Sequence, residues 1–226
     1  MKYERIYEGR FISRPNRFIA NIEIDGKEQV CHVKNTGRCR ELFIPDAKVF
    51  VQKADNPERK TAYDLISVYK GDALINVDSQ VPNKVFAEWV MTSKYFGENV
   101  FIKPECKYKN SRFDFYIEAG QRKIFVEVKG VTLENDGVVS FPDAPTERGV
   151  KHLCELMDAC DEGYEAYVFF IIQMKECKYF TPNREKHPEF ADAVKKAADR
   201  GVIIKALNCN VTRDSICADK FTDIYI

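Results

Sequence analysis

Two short segments constrain this chain more than any other feature: Arg112-Phe113-Asp114-Phe115-Tyr116 and Val126-Glu127-Val128-Lys129. Each lies in a stretch where apolar and polar residues alternate, the period of a β-strand with one buried face. Between them, Ala119-Gly120-Gln121-Arg122 suits a two-residue hairpin whose first turn residue is glycine. With Gly120 and Gln121 as the turn, Ile117 falls opposite Ile124, Phe115 opposite Val126, Asp114 opposite Glu127 and Phe113 opposite Val128. One face is then apolar, and the other carries Arg112, Asp114, Glu127 and Lys129. Cross-strand Cβ atoms lie about 4.5–5.5 Å apart, so the two carboxylates can share one divalent cation.

Two carboxylates this close repel, and without a cation one of them is driven to hold its proton. Mg²⁺ takes oxygen ligands octahedrally, keeps several waters and binds phosphates, and Mn²⁺ suits the same oxygen donors. A lysine beside such a cation orients water or stabilises charge gathering on phosphorus. The spacing Asp-x(12)-Glu-x-Lys is that of a metal-dependent phosphodiesterase, with Asp114, Glu127 and Lys129 as its parts. The same pattern also occurs on solvated sheet faces as a lattice of ion pairs.

The 226 residues allow one large domain or two small ones, with ample apolar content for a core. Thirty-five Lys and Arg balance 35 Asp and Glu, so contact with a polyanion requires a local basic patch. Two segments near the start are locally basic: Arg10–Phe18, where phenylalanines lie among the arginines, and Lys34–Arg40. From these, Arg14, Arg17, Asn35, Thr36, Arg38 and Arg40 are the expected DNA contacts, combining phosphate binding with base stacking. A solvated loop and strand edge accounts for the same residues. The opening Met1-Lys2-Tyr3-Glu4-Arg5 leads into no apolar leader, and the longest apolar run, Ala166–Ile172, is too short to span a bilayer. The expectation is a cytoplasmic chain without membrane contact. Eight cysteines without a C-x-x-C pair read as free thiols. Cys31-His32 and His152-x-Cys154 read as packing rather than as metal ligands.

Residues 1–78 show short strands separated by turn signals: Tyr3–Ser13, Arg17–Ile24, Glu28–Val33, Ala47–Lys53, Ala62–Tyr69 and Ala73–Val77. A short helix over Gly37–Phe43 completes a small barrel of the OB type. Residues 79–226 change rhythm. A helix runs from Pro82 to Tyr95, capped by Asp78 or Ser79, before strands at Val100–Pro104, Ser111–Ile117 and Lys123–Lys129. A second helix begins at Asp143-Ala144-Pro145, with Val150, Leu153, Cys154, Met157 and Cys160 on its apolar side. Strand Glu165–Gln173, a helix over Pro188–Arg200 and strand Val202–Leu207 follow. The order predicts an α/β domain whose mixed sheet is flanked by helices.

That order, with Asp on the second strand and Glu-x-Lys on the third, resembles the PD-(D/E)XK nuclease superfamily. The whole chain is similar to the sugar fermentation stimulation protein family, SfsA. The resemblance rests on His32–Leu42, Pro82-Asn83, Ser111–Phe115, Val126–Leu133 and Phe141–Leu153, the last block being the most specific. It implies an OB-like domain followed by a nuclease-like domain, DNA binding, and a link to control of sugar-utilisation genes. It further implies that Asp114 and Glu127 hold Mg²⁺ or Mn²⁺ with the Val128 carbonyl, and that Lys129 acts on the reacting phosphate. Glu88 matches the superfamily's helix carboxylate, although a solvated helix glutamate reads the same way. Phe113 stands where the motif's name calls for proline. Arg148 and Lys151, three apart on the second helix, suit phosphate, as they suit a solvated face. Gln173 at the end of its strand suits metal waters or plain exposure, and His32 a core position.

Three function classes follow: a Mg²⁺-dependent DNA nuclease, a DNA-binding regulator on a nuclease-like scaffold, and a sheet face of structural ion pairs. Two repelling carboxylates kept side by side favour the first. Strand preference, DNA against RNA, and pairing as a homodimer stay open.

Overall fold

A computed structural model describes residues 1–35 and 37–226. Thr36, one of the expected DNA contacts, lies outside the described residues.

The first unit is the barrel. Strands β1 (Ile6–Asn16), β2 (Ile19–Ile24), β3 (Lys27–Val33), β4 (Lys48–Lys53) and β5 (Tyr63–Lys70) run in the order β3-β2-β1-β4-β5. A parallel pairing of β3 with β5, Cys31 on Tyr63 through Val33 on Leu65, closes the ring. Strand β6 (Ala73–Asn76) pairs with β5 outside it. Alternation puts Ala20, Ile22, Cys31, Val33, Val49, Val51 and Leu65 inside, each almost fully buried. Residues 37–43 form turns rather than the expected helix. The Leu42 and Phe43 N–H groups both donate to Cys39 O, and Cys39 sits at a positive φ of 44° that a helix does not admit.

The second unit opens with α1 (Val81–Ser93). Strands β7 (Val100–Tyr108), β8 (Ser111–Ala119) and β9 (Arg122–Val131) follow, then short β10 (Leu133–Asn135) and β11 (Val138–Phe141). Next come α2 (Glu147–Asp161), β12 (Glu165–Ile172), β13 (Tyr179–Pro182), α3 (Pro188–Asp199), β14 (Ile203–Val211) and β15 (Ile216–Phe221). The main sheet has the order β15-β14-β12-β9-β8-β7, parallel through β9, β12 and β14 and antiparallel outside them. Strands β10, β11 and β13 make a separate small sheet. The fold is therefore the expected OB barrel followed by a mixed sheet with helices. Among the described residues, no helix is long and apolar enough to cross a membrane.

Helix α1 covers one side of the sheet, where Val85, Phe86 and Val90 pack with Phe115, Val126 and Phe169. Helix α2 covers the other, where Leu153, Leu156 and Met157 join Phe125 and Phe170 in a core continuous with the barrel's. Each such side chain withdrawn from water contributes about 1.5–3 kcal/mol. The buried residues of α2 are Gly149, His152, Leu153, Glu155, Leu156, Met157 and Ala159, because α3 packs beside it as well as the sheet; Cys154, expected inside, is exposed.

The segment joining the units is held in place. Gln173 is buried, and its Nε2 donates to Asn76 O, Asn76 Oδ1 and Asp78 O, each at 3.1 Å. This corrects both readings made for Gln173. Asp78 does not cap α1 directly; its Oδ1 accepts from Gln80 N at 3.0 Å, and Gln80 occupies the N-cap. Residues before β1 pack on the second unit: Tyr3 N donates to Asp214 O, and Tyr3 lies in the core beneath α1.

Candidate metal centre

The hairpin forms as its turn chemistry dictates. Gly120 takes a positive φ of 65°, which glycine adopts without steric cost, and Phe115 pairs with Val126, Ile117 with Ile124 and Ala119 with Arg122. The β8–β9 ladder stops at Phe115, however, and the alternation breaks there. Phe115 stacks against Phe86 of α1, whereas Phe113 packs against Tyr108, Phe125 and His152 on the α2 side. Phe113 therefore does not share the face of Phe115, as regular pairing to Val128 requires. Strand β8 turns away from β9 at Asp114, and the opening becomes the site.

In that opening, Asp114 and Glu127 line a pocket of about 460 Å³ with Asn83, Val128, Lys129, Thr146 and Arg148. Asp114 Oδ2 accepts the Val128 N–H at 2.8 Å, where a continued ladder would have placed a carbonyl. Its Oδ1 accepts from Asn83 Nδ2 at 2.8 Å. Val128 thus touches Asp114 through its amide N–H, and its carbonyl stays a proposed ligand only.

Glu127 is 3% exposed. Its Oε1 meets His152 Nδ1 at 2.5 Å and also accepts from Lys129 Nζ. Arg148 Nε donates to His152 Nε2 at 3.3 Å. An arginine has no acceptor to offer, so Nε2 carries the lone pair and Nδ1 the proton that goes to Glu127. Glu127 Oε2 is buried and has no partner among the described residues. A buried carboxylate oxygen left unpaired costs about 1–3 kcal/mol or more.

The two carboxyls are set apart electrostatically. Burial, and then the charge of Glu127, push Asp114 above the usual aspartate range, against the pull of Val128 N–H, Asn83 and Lys129. Burial also opposes the charge on Glu127, but His152 and Lys129 outweigh it and hold that carboxyl below the usual glutamate range. Among the described residues, no group of three or more His, Cys, Asp and Glu side chains gathers as a metal cage. Two carboxylates beside open solvent suit a hard cation that keeps its waters, as Mg²⁺ does, and do not suit a closed zinc site.

Glu88 is not part of this arrangement. It lies five residues beyond Asn83 on α1, about 140° round the helix, and its carboxylate holds the Met1 ammonium at 2.5 Å. Asn83 is the residue α1 sends to the site. Sequence reasoning quoted Asn83 only as part of a block and set His152 aside as packing. The usable signal was a histidine inside the buried stripe of α2, where a polar side chain needs a partner.

The basic residues divide into two groups. Arg148 lines the metal pocket and also a neighbouring cleft of about 830 Å³ that includes Lys107, Lys109, Arg112 and Lys151. Lys151 Nζ donates to Asn110 O at 3.2 Å, and Lys109 is held by Asp158 and Glu162 at 3.2 and 2.9 Å. On the barrel, Arg17, Arg38 and Arg40 are exposed round a second cleft of about 520 Å³. Arg14 is not free to take a phosphate. Its Nη1 and Nη2 donate to the carbonyls of Gly37, Arg38, Arg17 and Asn35 at 2.7–2.8 Å, and it stacks on Phe43. It builds the loop that presents Arg38. Asn35 Oδ1 accepts from Gly37 N at 2.8 Å and shapes the same loop. His32 is half-buried, with Nδ1 3.2 Å from Asp64 Oδ1.

Family models match both units. Residues 12–77 match the SfsA N-terminal OB domain, and residues 80–215 match the sugar fermentation stimulation protein RE domain. The chain is similar to the sugar fermentation stimulation protein homolog of Clostridium beijerinckii, 61% identical over 226 residues and covering 100% of both chains. It is similar to that of Desulfitobacterium hafniense strain Y51, 66% identical over 224 residues, covering 99% of this chain and 98% of the relative. Its fold matches the structure of Pyrococcus furiosus SfsA in complex with Ca²⁺, with a TM-score of 0.90, 26% identity, and coverage of 100% of this chain and 98% of that one.

Proposed function

This chain belongs to the sugar fermentation stimulation protein (SfsA) family, and from that premise we propose that it is a divalent-cation-dependent phosphodiesterase acting on DNA. The observation that carries the reading is the unpaired, buried Glu127 Oε2 beside an Asp114 whose ionisation the protein opposes. A site built for stability would pair both; this one leaves Glu127 Oε2 unpaired and gives Asp114 only neutral donors at the wall of an open pocket. The Pyrococcus furiosus structure, described as a complex with Ca²⁺, supports a hard cation in this fold.

Asp114 and Glu127 would hold Mg²⁺ or Mn²⁺, with the Val128 carbonyl as a further donor. Such a cation supplies charge neutralisation at phosphate and lowers the pKa of water. The chain's own residues do the rest. Asn83 and the Val128 N–H fix the Asp114 carboxylate, and His152, itself held by Arg148, fixes Glu127. Lys129, held at the site by its contact with Glu127, would stabilise charge on the reacting phosphate. Arg148 at the rim, with Lys151 beyond it, holds a neighbouring phosphate.

A second reading, a DNA-binding regulator of sugar-utilisation genes without turnover, draws support from the Lys129–Glu127 contact, which spends both groups on each other. Cleavage of single- and double-stranded DNA, with Mg²⁺, with Mn²⁺ and with chelator, separates the two. The nuclease reading expects cation-dependent cleavage that Lys129→Ala abolishes while the fold survives. DNA binding by the wild type without cleavage in either cation would hand the site to the regulator reading.

A further inference from the structure

We propose that the depressions on this surface join into one track for a single nucleic-acid strand, gripped on both sides of the metal pocket. The inference rests on the phosphodiesterase reading and adds the substrate class and its path.

The depressions share walls. Gly37 lines both the barrel cleft and a notch of about 180 Å³ between barrel and sheet. Ser79 lines both that notch and the metal pocket. Arg148 lines both the metal pocket and the large cleft beside β7, β8 and α2. These shared walls set the depressions in the order barrel cleft, notch, carboxylates, second cleft.

Charge is arranged along it in the same order. The barrel end offers exposed Arg17, Arg38 and Arg40, and beside them Phe18, 49% exposed, lies under the Arg17 guanidinium at 5.4 Å. That is a stacking platform next to phosphate-binding groups, the combination single strands select. The far end offers Lys107 and Arg112, both exposed, with Lys151 behind them; Glu105 lies 3.6 Å from Arg112 and Glu155 3.8 Å from Lys151, looser contacts than those that hold Lys109. Lys109 does not count, since Asp158 and Glu162 already hold it. Among the described residues the notch between has no Lys or Arg in its wall; Asn35, Ser79, Thr132 and Asp143 line it. Such a lining suits the hydrogen-bonding edges of a base or sugar and repels a phosphate.

Cations at two ends, with carboxylates and neutral polar groups between them, fit a polyanion longer than one nucleotide. The barrel end also sets the strand count. Phe18, exposed beside Arg17, offers a ring face on which an unpaired base can stack. A duplex keeps its bases stacked and paired inside and leaves that ring unused.

The test is binding of an oligothymidine of about sixteen nucleotides, long enough for an OB groove and beyond, in metal-free buffer across a salt series, against a duplex of equal length. Each phosphate contact to a single strand contributes about 0.7 to the slope of log affinity against log salt. Arg38→Ala with Arg40→Ala should reduce the slope by about 1.4, and Lys107→Ala with Arg112→Ala by about 1.4 as well. The duplex should bind at least about tenfold more weakly. All four side chains are exposed, and thermal unfolding checks the fold; the matching charge reversals to Glu enlarge the effect. A slope change from one end alone, or a duplex bound as tightly as the single strand, overturns the track. Mg²⁺-dependent cleavage by the wild type, read on the same substrates, keeps the two proposals apart. Cleavage that persists alongside either overturning result leaves the site reading standing, and absent cleavage counts against the site while the slopes still judge the track.

Discussion

The barrel and the sheet each bury carboxylates, and they treat them in opposite ways. In the barrel, Asp64 is 5% exposed and saturated with cations. Arg59 clasps both its oxygens at 2.7 and 3.1 Å, Lys34 lies at 3.1 Å and His32 at 3.2 Å. Burial opposes its charge, yet Arg59 and Lys34 more than offset that and bring its carboxyl down to about 2. In the sheet, Asp114 accepts only neutral donors, and Glu127 shares one oxygen between two donors while the other has none. The first arrangement is complete without a ligand. The second leaves one Glu127 oxygen without a partner among the described residues and opposes the charge on Asp114, an arrangement that the proposed cation would complete.

The comparison breaks first at Asp64. Removing one partner from a buried ionic network leaves the others uncompensated, at a cost of about 3–5 kcal/mol. Asp64→Ala should therefore lose stability of that order in denaturant unfolding, and a loss below about 1 kcal/mol would remove the contrast. The pH dependence has a definite sign. A carboxyl lowered in the folded state contributes stability that is present above its ordinary value of 3.8 and vanishes as pH falls through about 2. The wild type should lose stability over that window, and Asp64→Ala should lack this component.

At the sheet, the largest expected effect belongs to His152. Partners that orient a metal ligand are worth about 10–100-fold in metal affinity. His152→Leu, which fills much of the same space between helix and sheet without donating to Glu127, should weaken Mn²⁺ binding in calorimetry by that factor. Unchanged affinity would reduce His152 to packing.

On stability, Asp114→Asn should have a smaller effect, in the direction that identifies a functional group. Because Asp114 is raised in the folded state, its contribution favours folding below its ordinary pKa and is lost as pH rises through the folded value. At neutral pH and without divalent cations, the neutral amide should therefore raise Tm, by about 2–4 °C for each kcal/mol relieved. Its oxygen still accepts from Val128, and Asn83 can reverse its amide to accept from the new nitrogen. A lowered Tm would mean the carboxylate is structural, as in the barrel.

The smallest expected effect concerns Arg14. Its guanidinium is occupied by four backbone carbonyls, so Arg14→Ala should lower DNA affinity by loosening the loop while leaving the salt slope unchanged. Arg17→Ala should lower the slope by about 0.7 on single strands. Equal slope changes would make Arg14 a phosphate contact after all.

The sequence carried much of this arrangement. The Gly120 turn and strict alternation from Phe115 to Val126 fixed the hairpin register, since a slip of one residue would have turned every apolar side chain outward. Short alternating strands separated by turns pointed to the barrel, and the motif blocks pointed to the family. Illegible parts were those decided by tertiary contacts. The departure of β8 at Asp114 depends on Phe113 finding Tyr108, Phe125 and His152 on the α2 side, and no local pattern records that. Strands β10 and β11 are too short to show a period, although Asp136-Gly137 between them, both at positive φ, is a pair that tight hairpins favour. Glu88 and Asn83 share one helix, and only the helix's rotation against the sheet decides which reaches the site.

The proposal that the Asp114–Glu127 pair holds a cation is tested most directly by calorimetric titration of Mg²⁺, Mn²⁺ and Ca²⁺ into wild type and Asp114→Asn. The account predicts saturable binding by the wild type and its loss in the folded variant. Equal binding by both proteins, or none by the wild type with any of the three cations, would contradict it.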